Sequence, residues 1–82
     1  MDTQQSEVRV YSLWAGAYAL AQGVRLLRME PQSHNRRVRF YFDDENGAAS
    51  AALTEWRNGA AIVPGRVLMK YRTELLAAAK AL

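Results

Sequence analysis

The run Arg37-Val38-Arg39-Phe40-Tyr41-Phe42 alternates polar and apolar residues without a break. Side chains alternate across a strand, so Val38, Phe40 and Phe42 fall on one face and Arg37, Arg39 and Tyr41 on the other. A chain with such a strand must cover the apolar face and can leave the other open. Composition limits what does the covering. Leu, Ile, Val and Phe supply eighteen of the 82 residues, close to the roughly 20% below which chains tend to stay disordered. Fourteen residues are alanine, so the core is expected to be thin, with four Tyr, two Trp and two Phe supplying much of its bulk.

The remaining elements follow from local signals. Residues 1–6 read as a flexible lead-in, and Val8-Arg9-Val10-Tyr11 alternates like a strand. Ser12 suits a helix N-cap, because its hydroxyl can accept a free backbone N–H. Leu13 to Gln22 reads as a helix with Leu13, Ala17, Leu20 and Ala21 in one stripe, and Gly23 stands where a left-handed C-cap belongs. Val24 to Met29 is extended and Pro31 ends it; Gln32-Ser33-His34-Asn35 makes a polar turn. After the central strand, Asp43-Asp44-Glu45 place carboxylates at the start of a helix running to about Asn58, where exposed N–H groups favour them. Ala49, Ala52, Leu53 and Trp56 share its face and Gly59 closes it. Ala60 to Val63 suits either a short fourth strand or a linker, and Pro64 opens a last helix.

The order is β-α-β-β-α-(β)-α in a single α+β domain over residues 7–82, with no repeat or internal linker. Its natural packing is a two-layer, split β-α-β sheet of the ferredoxin-like kind, with an extra C-terminal helix. The two alanine-rich helices cover one sheet face. Trp14, Trp56 and Tyr71 lie on or beside helical stripes and are expected in the core. The longest apolar stretch, Leu13 to Ala21, is far short of the about 20 residues a membrane helix needs, and the polar N-terminus shows no secretory pattern, so a cytoplasmic protein is expected.

The chain also resembles a family of small bacterial proteins of unknown function. The likeness rests on Ala17-Tyr18-Ala19-Leu20-Ala21-Gln22-Gly23 after Ser12, on Arg39-Phe40-Tyr41-Phe42-Asp43, and on Glu55-Trp56-Arg57-Asn58-Gly59. These match an alanine-rich helix ending in Gly, a Phe-x-Phe-x-Asp strand and a Trp-containing helix end closed by Gly. Glu55 stands where that pattern has an aromatic. The motifs are caps and core aromatics, so the resemblance implies the element order and no activity.

Several chemistries are excluded. Without cysteine there is no disulfide, thiol catalysis or cysteine-ligated metal, and one histidine rules out multi-histidine sites. The five glycines form neither a P-loop nor a dinucleotide fingerprint. Asp43-Asp44-Glu45 reads as helix capping rather than a metal cluster, and His34 as a turn residue rather than a base, since no nucleophile motif accompanies it. The expectation is a non-enzymatic binding module with no cofactor and no metal.

Charge indicates where binding would occur. Residues 25–42 carry a net +4 and residues 64–82 a net +3, and nine of the eleven cations are arginine. With Val8 and Val10 facing the helices, Arg9 and Tyr11 join Arg37, Arg39 and Tyr41 on the open face. Arginines interleaved with aromatic rings are the composition of a platform for single-stranded nucleic acid, although the RNP-type signature is absent. The alternative is a homo-oligomer or protein-interaction module. Its candidate interface is the stripe Leu68, Tyr71, Leu75, Ala78 and Leu82, whose spacings of 3 and 4 make a short heptad seam.

Overall fold

A computed structural model of the protein describes residues 6–31 and 38–82. Its elements are β1 (Glu7–Val10), α1 (Leu13–Ala21), β2 (Leu26–Pro31), β3 (Val38–Asp43), α2 (Ala48–Arg57) and α3 (Gly65–Lys80). The alternating segment becomes the middle strand: the sheet order is β1-β3-β2, with both outer strands antiparallel to β3. Val8 pairs with Phe42 and Val10 with Phe40, so the apolar positions of β1 and β3 share the helix-covered face. Phe40 and Phe42 are buried there.

The architecture is α+β, with a three-stranded antiparallel sheet and three helices among the described residues. Ala60–Val63 joins no ladder, so of the two alternatives for this segment the linker is observed. No helix of the described residues is long and apolar enough to cross a membrane.

Local chemistry sets the helix ends. Ser12 Oγ accepts the Ala15 N–H at 3.1 Å at the start of α1. Gly23 and Gly59 follow α1 and α2 with φ of 85° and 70°, a conformation that L side chains rarely adopt. Helix α2 begins at Ala48, later than the acidic run suggests. The acids still cap it from a preceding turn: Asp44 accepts the Ser50 N–H at 2.9 Å and also the Ser50 hydroxyl. These bonds hold the Asp44 carboxyl below the usual aspartate range.

Helix α1 differs from the single apolar stripe expected. Ala15, Gly16, Ala17, Tyr18 and Ala19 are consecutive and all buried, because α1 touches the sheet on one side and α2 and α3 on others. A helix enclosed on several sides has room only for small residues on most of its surface. The approach is tight at Gly16, where an added Cβ would stand 3.1 Å from Leu75 Cδ1 and 3.7 Å from the Phe42 ring. The alanines are therefore what allows three elements to close around one helix.

That crowding also corrects the placement of Trp14. Its ring lies outside the core, 38% exposed, with the Arg72 guanidinium 4.9 Å from the ring centroid. An indole is too bulky for the closely packed faces of α1 and takes the outward sector. Trp56 does pack inward, its ring centroid 5.7 Å from that of Tyr18. Tyr71 is half-buried against the core.

Candidate functional site

The open face of the sheet carries the residues expected to bind nucleic acid, together with others that alter its character. Arg9 pairs with Tyr41 across β1 and β3, and Glu30 with Arg39 across β2 and β3. On β2 the ladder is irregular between Leu26 and Arg28: Leu26 stands opposite Phe42 and Arg28 opposite Tyr41, leaving Leu27 as an extra residue. Without that bulge Arg28 would share the face of Leu26 and point toward the helices. With it, Arg28 joins Tyr41 on the open face.

Arg28 then organises the surface. Its guanidinium lies 4.0 Å from the Tyr41 ring centroid. Its two terminal nitrogens donate to the Glu7 carboxylate at 2.7 and 2.9 Å, and its Nε donates to Glu30 at 3.1 Å. The Tyr41 hydroxyl donates to the other Glu30 oxygen at 3.1 Å, and Arg39 lies 3.9 Å from the same atom. Hydrogen bonding to Arg28 holds the Glu7 carboxyl below the usual glutamate value. Arg28 together with the Tyr41 hydroxyl does the same for Glu30. The two carboxylates in turn hold Arg28 above the ordinary arginine value.

This network changes what the face can do. A base stacking on Tyr41 would have to displace Arg28 from a bidentate carboxylate pair. Two of the cations on the face, Arg28 and Arg39, already stand against carboxylates, which weakens the attraction for phosphate. The Arg39 Nε is buried without a hydrogen-bond partner among the described residues. Arg37 and His34 lie outside the described residues. The residues missed by sequence reasoning are Glu7, Arg28 and Glu30. The strand alternation flags Glu7 beside Arg9, but Arg28 depends on a bulge that no local signal marks.

Arg9 and Tyr11 stand apart from this network. Tyr11 is 46% exposed, and the Arg9 guanidinium lies 5.5 Å from its ring centroid. No carboxylate pairs with Arg9 among the described residues. Tyr11 follows the end of β1 and lines a groove of about 460 Å³. The groove lies between Val38 and Phe40 of β3, Leu13 at the start of α1, and Leu76 and Ala79 near the end of α3. The start of α1 and the end of α3 thus come together at the groove, about one helical turn beyond the contact of Gly16 with Leu75. Its lining is mostly apolar, with Ser12 and Tyr11 as the residues bearing polar groups.

The stripe expected to bind a second chain is largely used inside this one. Leu75 is 2% exposed, Leu68 and Tyr71 pack against the core, and Ala78 is half-buried. Leu82 is exposed at 58%. The stripe faces α1 because the small residues of α1 receive it. Comparison with family models, with curated proteins and with solved structures returns no match.

Proposed function

We propose that this protein is a non-enzymatic binding module that holds an apolar segment of a partner protein in the groove beside Tyr11. The observation that carries this reading is the groove itself: a mostly apolar concavity of about 460 Å³ with a half-exposed tyrosine among its lining residues. Sites of this size, mostly apolar with few polar groups, are where ligands and anchor side chains bury. The Arg9 cation beside Tyr11, paired with no carboxylate among the described residues, favours a segment with an acid next to its apolar anchor.

Nucleic-acid binding is the second reading, favoured by the exposed Arg9–Tyr11 pair and the net charge of +3. On this reading Arg9, Arg37 and Arg39 contact phosphate and Tyr11 and Tyr41 stack on bases. The occupied Tyr41 ring counts against it. The fold reading that accompanies either function is a ferredoxin-like sheet with three strands among the described residues, supported by the β1-β3-β2 order with α1 crossing between the two outer strands. The cytoplasm is the compartment this reading uses, in keeping with a chain free of cysteine.

Amide NMR titration separates the readings. A peptide bearing Leu and Glu side chains should shift Tyr11, Leu13, Leu76 and Ala79 and leave Arg28 and Tyr41 unmoved. Single-stranded DNA that binds with steep salt dependence, shifts Tyr41 and loses affinity in the Arg37→Ala plus Arg39→Ala variant would instead establish the second reading.

A further inference from the structure

The two edges of the sheet are unlike. The β2 edge carries a bulge at Leu27 and ends in Pro31, both of which obstruct pairing with another strand. The β1 edge, Glu7-Val8-Arg9-Val10, has neither. Its backbone polarity follows from its neighbours. The Asp44 N–H donates to the Ser6 carbonyl at 2.9 Å, so Ser6 and Asp44 are a hydrogen-bonded pair. Alternation then points the backbone groups of Val8 and Val10 toward β3 and those of Glu7 and Arg9 outward. In agreement, the Asp43 N–H, opposite Glu7, donates away from β1 to the Arg25 carbonyl at 2.9 Å. Among the described residues no strand pairs with the outer edge of β1.

We propose that this edge pairs with β1 of a second copy of the chain, antiparallel, about a two-fold axis through Val8. The register is determined by two independent requirements. Hydrogen bonding needs outward-pointing residues opposite one another, so the self-pairing axis must pass through Glu7, Val8 or Arg9 with Glu7 or Arg9 in the bonded positions. An axis at Glu7 or Arg9 sets like charges face to face, which opposes pairing. The axis at Val8 sets each Glu7 opposite Arg9 of the second copy, in hydrogen-bonded pairs that are also charge-complementary. Each Glu7 then lies between Arg28 of its own chain and Arg9 of the other, and Arg9, which pairs with no carboxylate among the described residues, gains one. On the helix side the two Val8 residues meet as a non-hydrogen-bonded pair, where side chains approach most closely. Val8 is only half-buried in one chain, so it has apolar surface left to cover. The result is a continuous six-stranded sheet. The groove takes no part in this pairing, and neither does the α3 stripe.

Sedimentation of the full chain with two charge variants tests the proposal. Wild type should show a concentration-dependent dimer. Glu7→Arg and Arg9→Glu should each weaken self-association by at least about tenfold, because each sets like charges across the pair. Mixing the two variants should restore association as a heterodimer, which a merely misfolded variant would not do. The Glu7 and Arg9 amides should gain protection from hydrogen exchange as concentration rises. A chain that stays monomeric up to about 1 mM overturns the proposal. So does a dimer indifferent to both substitutions, which would place the contact elsewhere. Concentration-independent protection of the Glu7 and Arg9 amides would show the edge filled within one chain and overturn it equally.

Discussion

The Tyr18 hydroxyl donates to Glu55 Oε1 at 2.7 Å, tying α1 to α2 across 37 positions of sequence. The hydrogen bond, burial and the glutamate charge all favour the protonated phenol and raise its pKa above the ordinary tyrosine value. The folded state therefore holds this proton more tightly than the unfolded chain does. Its contribution is complete below pH about 10 and falls as pH rises through the folded value. Urea unfolding between neutral and strongly alkaline pH should show wild-type stability declining above pH about 10 more steeply than that of Tyr18→Phe. Equal slopes would show that Tyr18 and Glu55 are not coupled.

The acid limb has the opposite sign. Glu7, Glu30 and Asp44 have pKa values lowered in the folded protein from 4.5, 4.5 and 3.8. Stability from these groups is complete above those values and is lost as pH falls through the lower, folded ones. Arg28→Gln removes the main partner of both glutamates. Carboxyl NMR titration should find Glu7 and Glu30 moved back up in that variant and Asp44 unchanged. The acid transition should become shallower.

The contact between α1 and α3 predicts a pair of coupled substitutions. Leu75→Ala deletes a fully buried side chain and should cost about 3 kcal/mol in urea unfolding. Gly16→Val adds bulk where even a single carbon would stand 3.1 Å from Leu75 Cδ1, and should cost about 2 kcal/mol. In the double variant the added methyls occupy the space that Leu75 leaves, so its cost should be less than the sum of the two single costs. Strict additivity would mean that the two helices do not meet there.

Asp44 is the effective cap of α2. Asp44→Ala strips the acceptor from the Ser50 N–H and should destabilise the protein by about 1 kcal/mol. Asp44→Asn keeps an oxygen acceptor and should recover most of the loss. The check is the urea midpoint at neutral pH for the three proteins.

Much of this was legible from residues close in sequence. Ser12 is the cap of α1 because a hydroxyl there reaches Ala15 along one helical turn. The β3 alternation placed Phe40 and Phe42 inside because strand periodicity is a property of the backbone alone. The candidate site was less legible. Tyr41 was expected to offer a free ring, and its availability depends on Arg28, thirteen positions earlier on another strand. Trp14 was expected inside on helical periodicity, which says which residues share a face but not how much room that face has.

By itself the sequence determined the element order, the inward face of β3 and the small-residue character of α1. Each of these is settled by the backbone period or by a partner within one helical turn. Only the tertiary structure decided that Leu27 bulges, that Arg28 therefore lies on Tyr41 between Glu7 and Glu30, and that α3 spends its apolar stripe on α1. These outcomes depend on which strands and helices become neighbours. Neighbourhood is set by packing the whole chain around Phe42 and Leu75, and no local pattern encodes it.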